Sequence, residues 1–171
     1  MNVRTGLIAG VGAAAGAVLM LSLGWGLQHA AMTSPQVLGH PAPTLQILRP
    51  SGSQVDVSSY QGRPVILNFW ASWCGPCVQE LPVLSAGVSR YPSVVFIGAD
   101  MRDTAQGYTE FEDSHPHPYA TGTIVQGSYQ SYGVVGPPTT FFINSEGVVV
   151  ASFSGPLDAQ TLDHYVGLIQ S

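Results

Sequence analysis

At 171 residues the chain has room for one domain with a real core and not for two. Charged residues make up only 9% and apolar residues 45%, which excludes a disordered tail. Five basic residues, all Arg, face ten acids for a net charge of −5. A nucleic-acid binder needs Lys and Arg to neutralise phosphates, so no nucleic-acid partner is expected. Two cysteines exclude a disulfide-rich scaffold and a four-cysteine zinc site.

In chain order, the first predicted element is an uncharged run of 22 residues from Gly6 to Leu27, preceded by Arg4 and the amino terminus. About 20 apolar residues span a bilayer, whereas a secretory apolar region has about 7–15 and ends at a small-x-small site. Ser22-Leu23-Gly24 and Gly24-Trp25-Gly26 are imperfect sites of that kind, since Ala is preferred there, and no cysteine follows for lipid attachment. Residues 1–31 are therefore expected to be an uncleaved membrane anchor in preference to a cleaved signal, which would release a secreted domain. Arg4 on the near side of the run leaves the rest of the chain outside the cytoplasm, on the periplasmic side of the cell membrane. Gly6-x-x-x-Gly10 and Gly12-x-x-x-Gly16 match a membrane helix-packing pattern. In a segment so rich in Gly and Ala such matches arise by chance, and no dimer is inferred from them.

Residues 32–43 read as a linker and 44–171 as a folded domain. Val65 to Trp70 is a continuous apolar run of strand length, interrupted only by Asn68, as in a strand buried on both faces. Val94 to Ala99 is a second. Between them a helix is predicted from Pro76 to about Arg90, opened by Pro in its first turn and closed before Pro92. Strand, helix and strand at this spacing make a right-handed βαβ unit with parallel strands. Further on, a helix is predicted over Thr104–Ser114, followed by a solvated loop containing His115 and His117. Strands Thr139–Ile143 and Val148–Phe153 flank a turn at Asn144-Ser145-Glu146-Gly147. A last helix starts at the N-cap Asp158 and runs to about Ile169, with Leu162, Tyr165, Val166 and Ile169 on one apolar face. The fold class is α/β with a central mixed sheet flanked by helices.

Trp73-Cys74-Gly75-Pro76-Cys77 sits where the first strand ends and the helix begins. A C-x-x-C pair suits half a metal site, a structural staple or a redox pair. Zinc would need two more ligands, and His115 and His117 lie at an unsuitable spacing. A staple closing so small a loop would hardly constrain the unfolded chain. A redox pair needs this placement, because unpaired N–H groups and the positive end of the helix dipole favour thiolate at Cys74. Cys77, nearly one turn on, can resolve a mixed disulfide. Cys74 is expected to be the more exposed thiol and Cys77 the shielded one.

The stretch Gly62 to Cys77 followed by Glu80-Leu81-Pro82 resembles the membrane-anchored TlpA/ResA branch of thioredoxin-like proteins. Gly39-His40-Pro41-Ala42-Pro43 and Tyr132 to Asn144 with Gly147 are similar to further segments of that branch, in the same order. The resemblance implies a thioredoxin fold and thiol-disulfide exchange outside the cytoplasm on protein disulfide or dithiol clients, with no cofactor and no metal. It implies Cys74 as nucleophile, Cys77 as resolving thiol and Pro138 as the cis-proline that helps receive substrate backbone. It also associates Glu80 with proton handling at the cysteines, and Glu80→Gln is then expected to slow exchange more than it alters stability. An acid placed in the first helical turns for the dipole is the alternative for Glu80. Asn68 departs from thioredoxin, where an aspartate at the matching position accepts a proton, so that role would fall to Glu80 or water.

Client contact is expected from Trp73, Gly75, Pro76 and Pro137, with Trp70 in the core. Pro137 has no N–H and offers only its carbonyl to an extended peptide. The Gly75-Pro76 dipeptide suggests a reductant, which implies a membrane protein that resupplies electrons, and cytochrome c maturation is a possible setting by analogy with the branch. Two alternatives are a thiol peroxidase, whose P-x-x-x-T/S-x-x-C pattern is missing at both cysteines, and a copper metallochaperone binding Cu(I) through Cys74 and Cys77, whose relatives generally carry C-x-x-x-C.

Overall fold

The computed structural model describes residues 36–170. The expected anchor, its cleavage sites and its Gly-x-x-x-Gly pairs lie outside the described residues. Among the described residues no helix is long and apolar enough to cross a membrane. The elements are β1 (Leu45–Leu48), β2 (Gln54–Asp56), β3 (Val65–Trp70), α1 (Gly75–Arg90), β4 (Val95–Asp100), α2 (Ala105–Ser114), β5 (Ala120–Gly127), β6 (Thr139–Ile143), β7 (Val149–Ser154) and α3 (Ala159–Ile169). Short 3-10 turns at Val57–Tyr60 and Tyr129–Tyr132 complete them.

The strands form one mixed sheet in the order β2-β1-β5-β4-β3-β6-β7. β3, β4 and β5 are parallel, and β6, β7, β1 and β2 join antiparallel. This is the expected βαβ unit extended on both sides into a thioredoxin fold. All six residues of β3 are buried because the strand lies between β4 and β6 with both faces covered. Side chains alternate faces along a strand. Val65, Leu67 and Phe69 therefore enter one core with Ile97, Phe141 and Tyr132, while Ile66 enters another with Phe142, Leu84, Leu162 and Val166. Each such fully buried side chain contributes roughly 1.5–3 kcal/mol.

The same alternation turns Asn68 and Trp70 toward the face that α1 covers. Trp70 packs in a third cluster with Cys74, Cys77, Leu81, Tyr108 and Phe111. The predicted cap of the last helix is in place, Asp158 accepting from the Thr161 N–H at 2.7 Å, and Thr104, expected inside α2, caps it instead by accepting from the Gly107 N–H at 3.0 Å. The turn between β6 and β7 is closed by Asn144, which accepts from the Glu146 and Val148 N–H groups.

Strands β1, β2 and β5 were not among the predicted elements. In β5, Gly122 lies against β1 so closely that a Cβ there would meet the Leu48 carbonyl oxygen at 2.3 Å. Within the segment expected as linker, Gly39 and Ala42 donate to Val149 O and Gly147 O at 2.8 Å each. Those bonds fasten the chain to the β6–β7 turn, at the end of the sheet opposite the cysteines.

Candidate active site

Cys74 is the N-cap of α1, with extended backbone at φ −91° and ψ 95°. Its Sγ accepts from the Cys77 N–H at 3.2 Å. Pro76 in the first turn lacks an N–H that the helix would leave unused there anyway. Cys74 and Cys77 are joined as a disulfide. They are 3% and 4% exposed, so in the disulfide state the two residues do not differ in exposure, and the difference expected of the free thiols is a matter for the reduced protein. What distinguishes Cys74 is its place at the helix end and the N–H directed at its sulfur. Gly75 and Pro76 are exposed on the surface above the pair. Trp73 is 58% exposed while Trp70 is 1% exposed, matching the roles expected of the two tryptophans in surface and core.

Glu80 lies in the second turn of α1, not the first, and is buried. That placement excludes a solvated acid serving the helix dipole. Its Oε1 accepts from Asn68 Nδ2 at 2.7 Å and its Oε2 from the Leu157 N–H at 3.0 Å. Asn68 Nδ2 also donates to Thr140 Oγ1 at 2.9 Å. Burial pushes the Glu80 carboxyl up from 4.5 to about 7, and the hydrogen bonds from Leu157 and Asn68 restrain the rise. The carboxyl therefore sits where it can hold or release a proton near neutral pH, three residues after Cys77 on the same helix. Asn68 is buried and does not titrate; its contribution is to hold Glu80. Of the two residues that complete the site, Leu157 lies in no motif, and Thr140 falls within the Tyr132–Asn144 segment without any feature that links it to Asn68.

Pro138 is buried and Pro137 half-buried just before β6, at the sheet end that carries Cys74. The Pro137–Pro138 peptide is cis, as the resemblance implies. Val135, three residues earlier, is 91% exposed. Together with Trp73 it gives this end of the molecule an apolar rim.

The loop expected around His115 and His117 is present, with Pro116 and Pro118 exposed, but the His117 side chain is not solvated. The His117 side chain is 3% exposed and bonds Glu112 through Nδ1. Its ring centroid lies 4.6 Å from Trp70 and 5.1 Å from Tyr119. His115 packs on Phe111 at 5.1 Å and bonds the Ser114 hydroxyl at 2.9 Å. Aromatic packing buries the His117 ring, while His115 stays half-exposed. Among the described residues no cluster of three or more His, Cys, Asp or Glu side chains could hold a metal ion. Tyr119 carries a buried hydroxyl with no hydrogen-bond partner among the described residues, and burial first, then the nearby Glu80 and Glu112, hold it un-ionised.

Comparison with known proteins places this geometry. The Redoxin family model matches residues 38–169. The thiol-disulfide oxidoreductase ResA of Bacillus subtilis (strain 168) is 28% identical over 174 residues, covering 98% of this chain and 92% of that protein. The thiol:disulfide interchange protein DsbE of Xylella fastidiosa (strain 9a5c) is 31% identical over 132 residues, 75% of this chain and 66% of that one. A crystal structure assigned as the thiol:disulfide interchange protein DsbE of Chlorobium tepidum superposes with a TM-score of 0.71 at 27% identity, covering 78% of this chain and 98% of that one. The chain belongs to the Redoxin family, in its ResA/TlpA-like branch of thioredoxin-like proteins, and is a thiol-disulfide oxidoreductase.

Proposed function

We propose that the protein reduces protein disulfides outside the cytoplasm, tethered to the membrane by residues 1–31, with Cys74 as the attacking and Cys77 as the resolving thiol. The observation that supports this best is Cys74 at the N-cap of α1, bonded to Cys77, with the neutral-range carboxyl of Glu80 buried behind the pair. In the reduced protein the Cys74 thiolate attacks one sulfur of a client disulfide. A Cys74–client disulfide forms and the other client sulfur leaves as thiolate. Cys77 then gives up its proton, with Glu80 as acceptor, and attacks Cys74 Sγ. The intramolecular disulfide forms, the second client thiolate leaves, and two electrons have passed to the client. The Gly75-Pro76 dipeptide favours a potential nearer about −270 mV than the about −120 mV of a strong oxidant. A membrane protein that carries electrons outward would regenerate the dithiol. Clients in cytochrome c maturation fit the branch.

Cys77→Ser in the full chain is expected to accumulate a mixed disulfide through Cys74, recoverable from cells and identified by mass. A Cys74→Ser variant that traps clients through Cys77 with equal yield would reverse the roles. A trapped apocytochrome would support the proposed pathway, and a set of clients without one would remove it.

A smaller effect is expected at Pro137. An extended client lying along this loop meets a carbonyl but no N–H there, and one such hydrogen bond contributes about 0.5–1.5 kcal/mol. Pro137→Thr, in a background with both Cys74→Ser and Cys77→Ser so that no thiol remains for covalent capture, should tighten binding of a disulfide-bearing peptide roughly twofold to tenfold. Calorimetry on the folded variants measures it, and equal affinity would show that the missing donor is immaterial.

A further inference from the structure

The turn that carries the reactive pair is held by an acid outside the motif. Asp103, in the loop between β4 and α2, accepts the Ser72 N–H on Oδ2 and the Ser72 hydroxyl on Oδ1, both at 2.6 Å. Its Oδ1 also accepts the Thr104 N–H at 3.1 Å. Ser72 is two residues before Cys74, whose own N–H bonds Ala71 O at 3.1 Å. The Trp73 indole donates to the Arg102 carbonyl at 3.4 Å. Residues 72 and 73 are thus both tied to the corner at 102–103. That corner is itself fixed: Met101 N–H bonds Trp70 O at 2.9 Å, and Arg102 stands in the left-handed region at φ 61°. Helix α2 presses so closely from behind that a Cβ on Gly107 would lie 2.8 Å from both Asp103 Oδ1 and Ser72 Oγ. Beside Asp103, the carboxyl of Asp100 at the end of β4 is 2% exposed, and among the described residues its Oδ1 has no hydrogen-bond partner.

We propose that Asp103 is a positioning residue for thiol-disulfide exchange, fixing the Ser72–Cys74 turn, and that Asp100 governs the strength of that hold through the proton it carries. Asp103 already accepts three donors, two from Ser72 and one from Thr104. A protonated Asp100 beside it would supply a fourth, since the two carboxyls act on one another. Two adjoining carboxylates in a place poor in water do not both ionise readily. Burial, then the charge and hydrogen bond of Asp103, push Asp100 up to about 7, with Thr123 pulling the other way. Once Asp100 ionises, it repels Asp103 from Ser72 and loosens the turn.

The other groups around the pair do not cancel this. Glu112 on α2 adds negative charge, and Tyr108 on α2 is kept un-ionised, pushed up to about 12 by burial and by Glu112. Thr121 and Thr123 on β5 are neutral. Arg49 acts on Tyr108, and the Arg102 guanidinium lies over the Tyr129 ring at 5.1 Å and donates to its hydroxyl. Among the described residues neither Asp100 nor Asp103 is in an ion pair.

The chemical consequence is orientation. Attack on a disulfide needs Cys74 Sγ in line with the bond it breaks, and a small misplacement set by a distant residue can reduce the rate about a hundredfold. This inference rests on Cys74 as the attacking thiol, which the Cys77→Ser trap tests separately: a failed trap removes that role assignment, whereas a working trap leaves Asp103 to be judged alone.

The test uses the full chain with Asp103→Asn, Ser72→Ala and Asp100→Asn, circular dichroism confirming the fold. Reduction of a disulfide-bearing peptide is followed from pH 5 to 9. Asp103→Asn should lower kcat about ten- to hundredfold with KM little changed, and Ser72→Ala should lower it severalfold in the same sense. Asp100→Asn keeps a donor to Asp103 but cannot ionise, so one ionisation near neutral pH should vanish from its profile while the one removed by Glu80→Gln persists. If Asp103→Asn does not fold, Ser72→Ala decides. Wild-type kcat in the folded Asp103→Asn and Ser72→Ala variants, or a wild-type profile for Asp100→Asn, overturns the proposal.

Discussion

Glu80→Gln is expected to remove about 3 kcal/mol of pH dependence from folding stability between pH 5 and pH 9. In the native protein the Glu80 carboxyl is pushed from its ordinary 4.5 to about 7, chiefly by burial. A proton held by the folded state and released by the unfolded chain makes stability fall as pH rises. The stabilisation is complete below about 4.5, declines through the interval, and is gone above about 7. A tenfold difference in proton affinity between the folded and unfolded chain is worth about 1.36 kcal/mol, so this rise in pKa amounts to about 3 kcal/mol. Gln cannot ionise, so this slope disappears.

Gln has its own defect, which does not depend on pH. Both carboxyl oxygens of Glu80 accept N–H groups, from Asn68 and from Leu157. An amide supplies one oxygen and turns an NH2 against the other donor, leaving a buried mismatch of about 1–3 kcal/mol. The variant should therefore be the less stable protein at pH 5 and equal or better at pH 9. Denaturant unfolding of the oxidised proteins at pH 5, 7 and 9 reads this directly, with no thiol titrating. Asp100 contributes the same slope to both proteins and drops out of the difference. Parallel stability curves for the two proteins would show that the Glu80 carboxyl does not ionise in this range. The sequence alone leads one to expect this substitution to act on exchange more than on stability; the burial of Glu80 adds a sizeable stability effect beside it.

Why Glu80 was only half legible follows from where its partners lie. The redox motif is local, and the apolar runs of β3 and β4 with Pro76 and Pro92 between them mark a βαβ unit without any long-range knowledge. Glu is almost never fully buried unless paired, so position alone makes a surface acid plausible. Its partners are 12 and 77 positions away. Asp103 reaches Ser72 across 31 positions, with no pattern linking the two. Strand β5 shows the same limit in the fold: Ala120-Thr121-Gly122-Thr123 has no apolar run, and Gly122 is explained only once Leu48 of β1 is seen against it. His117 between two prolines reads as loop, and only the Trp70 and Tyr119 rings reveal that it belongs to the core. Contacts that sequence spacing encodes were readable, and those that tertiary packing alone creates were not.

The largest destabilisation is expected from restoring the aspartate that thioredoxin carries, by Asn68→Asp. Asn68 Nδ2 donates at once to Glu80 Oε1 at 2.7 Å and to Thr140 Oγ1 at 2.9 Å, all three side chains being buried. A carboxylate has no hydrogen to give, so the change replaces a donor by an acceptor facing two acceptors, one of them an acid. Thr140 can rotate its hydroxyl to donate instead, but Glu80 can donate only while it holds a proton. Two carboxyls in contact cannot both ionise there, and the pair must hold one proton through neutral pH as a coupled unit. Breaking a buried polar pairing in this way costs about 3–5 kcal/mol. The sign with pH follows from the same linkage as for Glu80. Burial and the second carboxyl raise the folded-state titration further, so the loss is smallest near pH 4, where a protonated Asp can donate to Glu80, and grows as pH rises toward 9. Exchange should slow as well, because the extra negative charge beside α1 opposes formation of a second anion at Cys77. Unfolding at pH 4, 7 and 9 tests the stability claim, and carboxyl carbon chemical shifts through the same range should show two linked steps. A loss of equal size at all three pH values, with Glu80 titrating as before, would mean that Asn68 holds Glu80 by shape alone and that its N–H donors do not set the charge of the site.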